Sequence, residues 1–209
     1  GRPTAVDWAE PEKVARSIKI MGIKHAVITS VDRDDLKDMG SVIWAETILA
    51  IKRMNPNTTL ETLLPDFQGI GSHLDRIIKV KPEVISHNME TVKRLTRSVR
   101  IQAKYERSLG VLRYLKENGA HRTKSGIMLG LGEEKEEVFE TLEHLRDAKV
   151  DVVTLGQYLQ PSKKHLPVKR FVSPEEFKEF EEYGKALGFR HVESGPLVRS
   201  SYKAHKHIE

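Results

Sequence analysis

The chain predicts an α/β fold: a mostly parallel sheet curved into a partial, open barrel of the (β/α)6 type. Three observations carry this. Short apolar runs alternate with amphipathic stretches along all 209 residues, and parallel strands need such crossover helices, which are right-handed. Five of the runs end in a polar or charged cluster, as strands do when their C-terminal ends converge on one working rim. The βα units number about five or six, short of the eight of a closed barrel.

Taken in order, Pro11 to Gly22 reads as the first helix, entered at Glu10-Pro11, with Val14, Ile18 and Ile20 apolar and Gly22 as the stop. The strand from His25 to Val31 runs into Asp32-Arg33-Asp34-Asp35. Ser41 to Asn55 repeats Ile43, Trp44, Ile48, Ile51 and Met54 near the helical period, and Asn55-Pro56-Asn57 breaks it. Thr59 to Leu64 is a strand ending at Pro65-Asp66. Ser72 to Val80 is a short helix, and Glu83 to Ser86 a strand leading into His87-Asn88-Met89-Glu90. Tyr105 to Asn118 is a helix, Ser125 to Leu129 a strand before Gly130-Leu131-Gly132-Glu133. Glu134 to Lys149 is a helix, and Asp151 to Leu155 a strand before Gly156-Gln157-Tyr158. Ser173-Pro174-Glu175-Glu176 has the order of an N-cap, a first-position proline and an acidic first turn; its helix runs to Leu187-Gly188. A last strand, Phe189 to Val192, precedes a tail from about residue 195. Without a low-complexity linker or internal repeat, residues 1–209 read as one domain.

Composition narrows the function classes. Hydrophobic residues at 38% and charged residues at 31% describe a globular chain with a charged surface, and no stretch has the length of a membrane span or a signal segment. This predicts a cytoplasmic protein with no membrane partner. Acids and bases are interspersed, 35 Lys and Arg against 30 Asp and Glu for a net charge of +5. Arg94, Arg97, Arg100, Lys104 and Arg107 recur three or four apart, but lack the interleaved aromatics of a nucleic-acid stripe. They read as a solvated or ligand-facing segment, and no nucleic-acid partner is expected. There is no cysteine, which removes disulfides, thiolate metal sites and cysteine nucleophiles from the 209 residues.

The strand-end clusters are the candidate chemistry. Thr29, Ser30 and Asp32 lie among three carboxylates and two hydroxyls at one strand end, suited to an ammonium, a ribose or a metal, or else to a capped turn with an Arg33 ion pair. Asn88 and Glu90, two apart, can both face a polar ligand, while His87 reads as a hydrogen-bonded loop residue. Gly130 and Gly132 suit a tight turn; no third glycine completes a dinucleotide fingerprint. His205-Lys206-His207 reads as a frayed tail rather than a metal pair. The run Gly195 to Ala204 reads as a surface tail, since no base is implied near its two serines.

Taken together, these segments resemble the lipoyl synthase family of radical S-adenosylmethionine enzymes. The matching stretches are Gly1-Arg2-Pro3, Val27 to Leu36, Pro65-Asp66-Phe67, His87 to Val92, Tyr105 to Leu109, Lys124 to Glu133, Gly156 to Pro161 and Arg199-Ser200-Ser201-Tyr202. They occur in the family's order across essentially the whole chain. The Arg-Ser-Ser-Tyr run argues against another radical-SAM sulfur-insertion enzyme, such as a biotin-synthase-like protein; a cluster-free barrel acting only as a binding module is the non-enzyme alternative.

The resemblance implies a partial radical-SAM barrel, S-adenosylmethionine and two [4Fe-4S] clusters. One cluster cleaves S-adenosylmethionine to a 5′-deoxyadenosyl radical, and the auxiliary cluster gives up its sulfur at C6 and C8 of an octanoyl chain. That chain is borne by a lipoyl carrier protein or domain, a glycine cleavage H protein or a 2-oxoacid dehydrogenase E2. It implies Thr29, Ser30 and Asp32 at the methionine end of the cofactor, Asn88 and Glu90 at its ribose or amino group, Lys124 at its carboxylate, and Met128 to Gly130 beside the adenine. Ser201, with Ser200 as the fallback, is the implied serine ligand of the auxiliary cluster. In the family, Gly-Arg-Pro follows the cluster cysteines. The chain is therefore expected to begin downstream of them and of the first barrel strand, and to be inactive alone.

Overall fold

The computed structural model describes residues 3–208; Gly1 and Arg2 of the N-terminal motif lie outside them. Helix α1 (Glu10–Met21) ends where Gly22 takes a left-handed φ of 62°, and β1 (His25–Thr29) follows. Next come α2 (Ser41–Met54), β2 (Thr59–Leu63), α3 (Gly71–Val80) and β3 (Val84–Ser86). The short α4 (Thr96–Val99) precedes α5 (Tyr105–Glu117), β4 (Thr123–Leu129), α6 (Lys135–Asp147) and β5 (Val152–Gln157). Helix α7 (Pro174–Ala186), β6 (His191–Gly195) and a 3-10 turn, Ala204–Ile208, complete the chain.

The six strands pair in sequence order, every pair parallel. Among the described residues β1 and β6 do not pair with each other, so the barrel is open. Alternation sorts the side chains. Ile127, Leu129, Val153, Leu155 and Val192 pack with Leu142, Leu145, Phe177 and Phe180 of the outer helices, while Ala26, Leu60 and Ile85 join Trp44, Ile48, Ile51 and Ile77 in a second cluster. The opposite, concave face carries Glu61, Ser86, Lys124, Gly126, Met128, Thr154 and Gly156. No described helix is long and apolar enough to cross a membrane.

The helix starts follow the expected physics. Ser173 Oγ accepts from Glu176 N at 3.2 Å, and α6 opens on a reciprocal capping box between Glu134 and Glu137. Two expectations are corrected. The last strand lies at His191–Gly195 instead of Phe189 to Val192, because Gly188 turns at φ 87° and Phe189 N returns to the Gly184 carbonyl, closing α7 and sending the Phe189 ring to the core. The C-terminal segment is neither a surface tail nor frayed. Val198, Ala204 and His207 are buried, and Arg122 Nη1 donates to the His207 carbonyl at 2.6 Å. From the rim end of β6 the tail descends the concave face to the opposite end of the barrel.

Candidate functional site

Two adjoining cavities open at the rim. The larger, about 330 Å³, is lined by Asn88, Glu90, Met128, Thr154, Tyr158 and Arg199 among others. The smaller, about 160 Å³, lies toward β1 and is lined by Thr29, Ser30, Asp32, Asn88, Glu90 and Arg100. Asn88 and Glu90 are shared by the two. The sheet thus brings together five residues expected at the site, from strand ends up to 61 positions apart in sequence, and places Met128 beside them.

Each is held by identifiable contacts. Trp44 of α2 donates its Nε1–H to Ser30 Oγ at 3.0 Å. Arg33 forms a bidentate pair with Asp35, and Asp38 accepts from Val42 N at the start of α2. Asp32 is thereby the exposed carboxylate of this cluster that lines a cavity. Arg100 donates to the Asn88 carbonyl at 3.2 Å. The other members of its basic series diverge: Arg94 pairs with Glu137 and Arg107 with Asp66. His87 is fully buried; its Nδ1–H meets the Leu64 carbonyl at 3.0 Å, leaving Nε2 to accept from Ser108 Oγ at 2.9 Å. Burial lowers its pKa, which keeps the ring neutral and structural.

Glu90 sits at a left-handed φ of 70°, bridging to Ile127 of β4. Burial raises its carboxyl pKa, opposed by a hydrogen bond from Asn88 and the Arg100 charge. A partly buried acid between cavities that forms no ion pair among the described residues favours a cationic or hydrogen-bond-donating ligand. Gly126 makes room for it. A Cβ there would lie 2.7 Å from Thr154 Oγ1 and 3.1 Å from Asn88 Oδ1.

Lys124 departs from its expected place at a ligand carboxylate. It lies beneath the cavity, 1% exposed, with Nζ 2.9 and 3.0 Å from the two oxygens of Glu61, itself 1% exposed. Ser86 Oγ donates to Glu61 at 2.7 Å, and Lys124 also donates to the Ser200 carbonyl. Burial lowers the Lys124 pKa against the pull of Glu61. Gly130 is also displaced from expectation. Its φ of 100° turns the chain away from the cavity, and its Cβ position is filled by Gln157 and the Arg170 carbonyl. Ser200 lines the larger cavity, whereas the Ser201 side is exposed. Gly156 admits the Val198 carbonyl against β5, in space that a side chain would occupy. Sequence reasoning missed Glu61, Thr154 and Arg199 as site residues, and reached Arg100 only as part of a basic segment read as solvated or ligand-facing. Alternation along β2 and β5 put Glu61 and Thr154 on a strand face, but not on which one.

The volume and donor set fit S-adenosylmethionine: the cavity falls in the ~300–1,000 Å³ range of small-molecule sites, and Glu90 and Asp32 provide carboxylates for a cationic ligand. An iron–sulfur cluster does not fit the residues present by themselves. Such clusters are held by cysteine thiolates, the 209 residues contain none, and no group of three or more potential metal ligands gathers among the described residues.

An open, parallel β/α barrel with a polar cavity at its strand ends defines a class, and comparison with known proteins gives it. The radical SAM superfamily model matches residues 1–145. Structures sharing 13–15% identity agree in fold. Streptococcus suis SuiB bound to S-adenosylmethionine superposes with a TM-score of 0.71, covering 98% of this chain and 47% of that one. The hydrogenase maturase HydG gives 0.68 over 99% of this chain and 53% of that one. The superfamily's cofactors are S-adenosylmethionine and a [4Fe-4S] cluster. Within it, the chain belongs to the lipoyl synthase family. It is 77% identical over 208 residues to the lipoyl synthase of Flavobacterium johnsoniae and to the mitochondrial one of Nematostella vectensis, covering all of this chain and 72% of each relative. The Porphyromonas gingivalis lipoyl synthase is 53% identical over 208 residues, covering all of this chain and 74% of the relative.

Proposed function

We infer that these residues form the cofactor- and substrate-holding part of an enzyme that inserts two sulfurs at C6 and C8 of a protein-bound octanoyl group. The observation that carries the reading is lipoyl synthase identity along the whole chain, joined to a rim cavity able to take S-adenosylmethionine. When bound, that cofactor together with an iron–sulfur cluster supplies the hydrogen-abstracting chemistry that unactivated methylenes require. The two [4Fe-4S] clusters of the expectation stay part of this reading, with Ser201 the ligand assigned from this chain and Ser200 the alternative.

The chain's own residues bind, orient and exclude water. Asp32, Thr29 and Ser30 offer acceptors to an ammonium group, and Asn88 and Glu90 accept from ribose hydroxyls or the amino group. Arg100, on the Asn88 carbonyl, stiffens that loop and balances Glu90 when it ionises. Met128 offers an apolar wall for an adenine. With Lys124 committed to Glu61 and Ser200, Arg199 is the guanidinium at the cavity mouth that suits the cofactor carboxylate. Lys124 is a positioning residue: it holds the strap bearing Ser200 and Ser201 at the rim. Gly130 shapes the turn behind the cavity.

The test is to reconstitute the full-length polypeptide without oxygen and supply S-adenosylmethionine, a reductant and an octanoylated carrier, using an H protein and an E2 lipoyl domain in parallel. The expected product carries two sulfurs on the octanoyl chain by mass spectrometry. Carrier recovered unchanged from both reactions, with the cofactor bound, would count against the reading.

A further inference from the structure

The loop between β5 and α7 is a long acid-free stretch of the chain. No acidic residue occurs between Asp151 and Glu175, while Lys163, Lys164, His165, Lys169 and Arg170 fall within it. Elsewhere most lysines have carboxylate partners, as in Lys13–Asp7, Lys116–Asp151 and Lys149–Glu117. Lys163, Lys164 and Lys169 are exposed and form no ion pair among the described residues; Arg170 alone is held, by Glu176.

The loop is nonetheless ordered by its own contacts. Tyr158 donates to the Leu166 carbonyl at 2.9 Å, Gln160 to the His165 carbonyl at 2.9 Å, and Lys169 N to the Gly130 carbonyl at 2.8 Å. Val172 N donates to Gln157 at 2.9 Å. Ordering a loop costs conformational entropy. Tyr158 and Val172 at its two ends are buried, but the stretch between them leaves its apolar groups outside: Phe171 is 74% exposed, and Leu159 and Leu166 are also exposed. A pre-ordered surface with unpaired cations around exposed apolar side chains suits a protein partner of opposite charge. The loop leaves β5 at the rim, and Leu159 and Pro161 line the larger cavity.

We propose that residues 159–171 are the docking surface for an acidic face of the protein that bears the octanoyl-lysyl arm, with Phe171 as the apolar anchor and Lys163, Lys164 and Lys169 as the charged rim. A carrier seated there has its arm at the mouth of the cavity. The proposal rests on the substrate reading given above.

The test is binding of an octanoylated lipoyl domain to the chain, measured by fluorescence anisotropy at two salt concentrations. The variants are K163E/K164E/K169E, the charge-keeping K163R/K164R/K169R, and Phe171→Ala. An octanoyl-lysine tripeptide serves as a probe that reaches the cavity without the protein surface. Charge reversal is expected to weaken domain binding roughly tenfold or more, and Phe171→Ala several-fold. The arginine variant keeps the affinity, tripeptide binding stays unchanged, and wild-type affinity falls with salt. Unchanged domain affinity in the reversed variant, or an equal loss for the tripeptide, overturns the docking surface. So does a single-stranded oligonucleotide that displaces the domain with the same dependence on the three lysines. A wild-type chain that binds the tripeptide but not the domain removes the docking surface and leaves the substrate reading standing; one that binds neither removes both.

Discussion

The two halves of the concave face use similar residues in opposite ways. Under β4 to β6 the polar groups are buried and tied to the descending tail: Lys124 holds Glu61 and the Ser200 carbonyl, Gly156 admits the Val198 carbonyl, and Arg122 holds the His207 carbonyl. Toward β1 the polar groups are exposed and tied within the first β/α unit, the longest reach being Trp44 to Ser30. Arg33 pairs two residues on with Asp35, Asp38 caps α2, and Ser30 Oγ reaches the next carbonyl. The first half is built by long-range contacts and should answer to mutation with stability. The second is built by short-range ones and should answer with affinity.

Lys124→Met is the most severe test of that contrast. It strands Glu61 in a site that is 1% exposed, and removing one partner of a buried pair costs about 3–5 kcal/mol. Urea denaturation should show that loss, tryptic cleavage after Arg199 and Lys203 should quicken as the tail loosens, and the Glu61→Leu, Lys124→Met double variant should regain most of the stability. A single variant within about 1 kcal/mol of wild type would make the pair dispensable and the contrast wrong.

His207 sharpens the contrast through pH. Its ring is buried, and burial first, then the charges of Lys124, His191, His25 and His205, lower its pKa from 6.5 to about 3. As pH falls below 6.5 the unfolded chain takes up this proton while the folded chain does not until about 3. The unfolded state therefore binds more protons across that window, and folded stability declines on acidification through it. His207→Leu should flatten that limb of the stability profile. A limb of unchanged slope would show that the ring titrates normally and that the tail is not packed as described.

The smallest effect on the fold is expected at Asp32, which is exposed and makes no ion pair among the described residues. Asp32→Lys should leave stability within about 0.5 kcal/mol of wild type and lower S-adenosylmethionine affinity about five- to tenfold, the scale of an exposed charge reversed. Calorimetric titration reads the affinity and urea denaturation the stability. Unchanged affinity removes Asp32 from the site, and a large loss of stability would place it with the buried half instead.

The outer layer of the barrel was legible because its signals are local. The spacing of Ile43, Trp44, Ile48 and Ile51 marks α2, Ser173 and Pro174 mark the start of α7, and short apolar runs ending in polar clusters mark β1 through β5. Boundaries slipped where a tertiary contact decided them, as when Phe189 left the strand to fill the core beside α7. The site was legible as strand-end clusters, and Thr29, Ser30, Asp32, Asn88 and Glu90 do meet at one rim. Lys124 and Gly130 were not, because residue type and motif position do not say whether a side chain opens on a cavity or closes beneath it. The tail was read as frayed for the same reason: its partners, Arg122 and Lys124, lie about eighty residues away in sequence.

The sequence by itself determined the order of strands and helices, the parallel sheet, the polar rim and the family, since periodicity, capping and motif order act over a few residues. Only the tertiary structure decided that a buried Glu61–Lys124 pair and a descending C-terminal strap close half of the concave face. Those contacts join positions 63 and 76 residues apart, and desolvation selects them only once the sheet has brought them together.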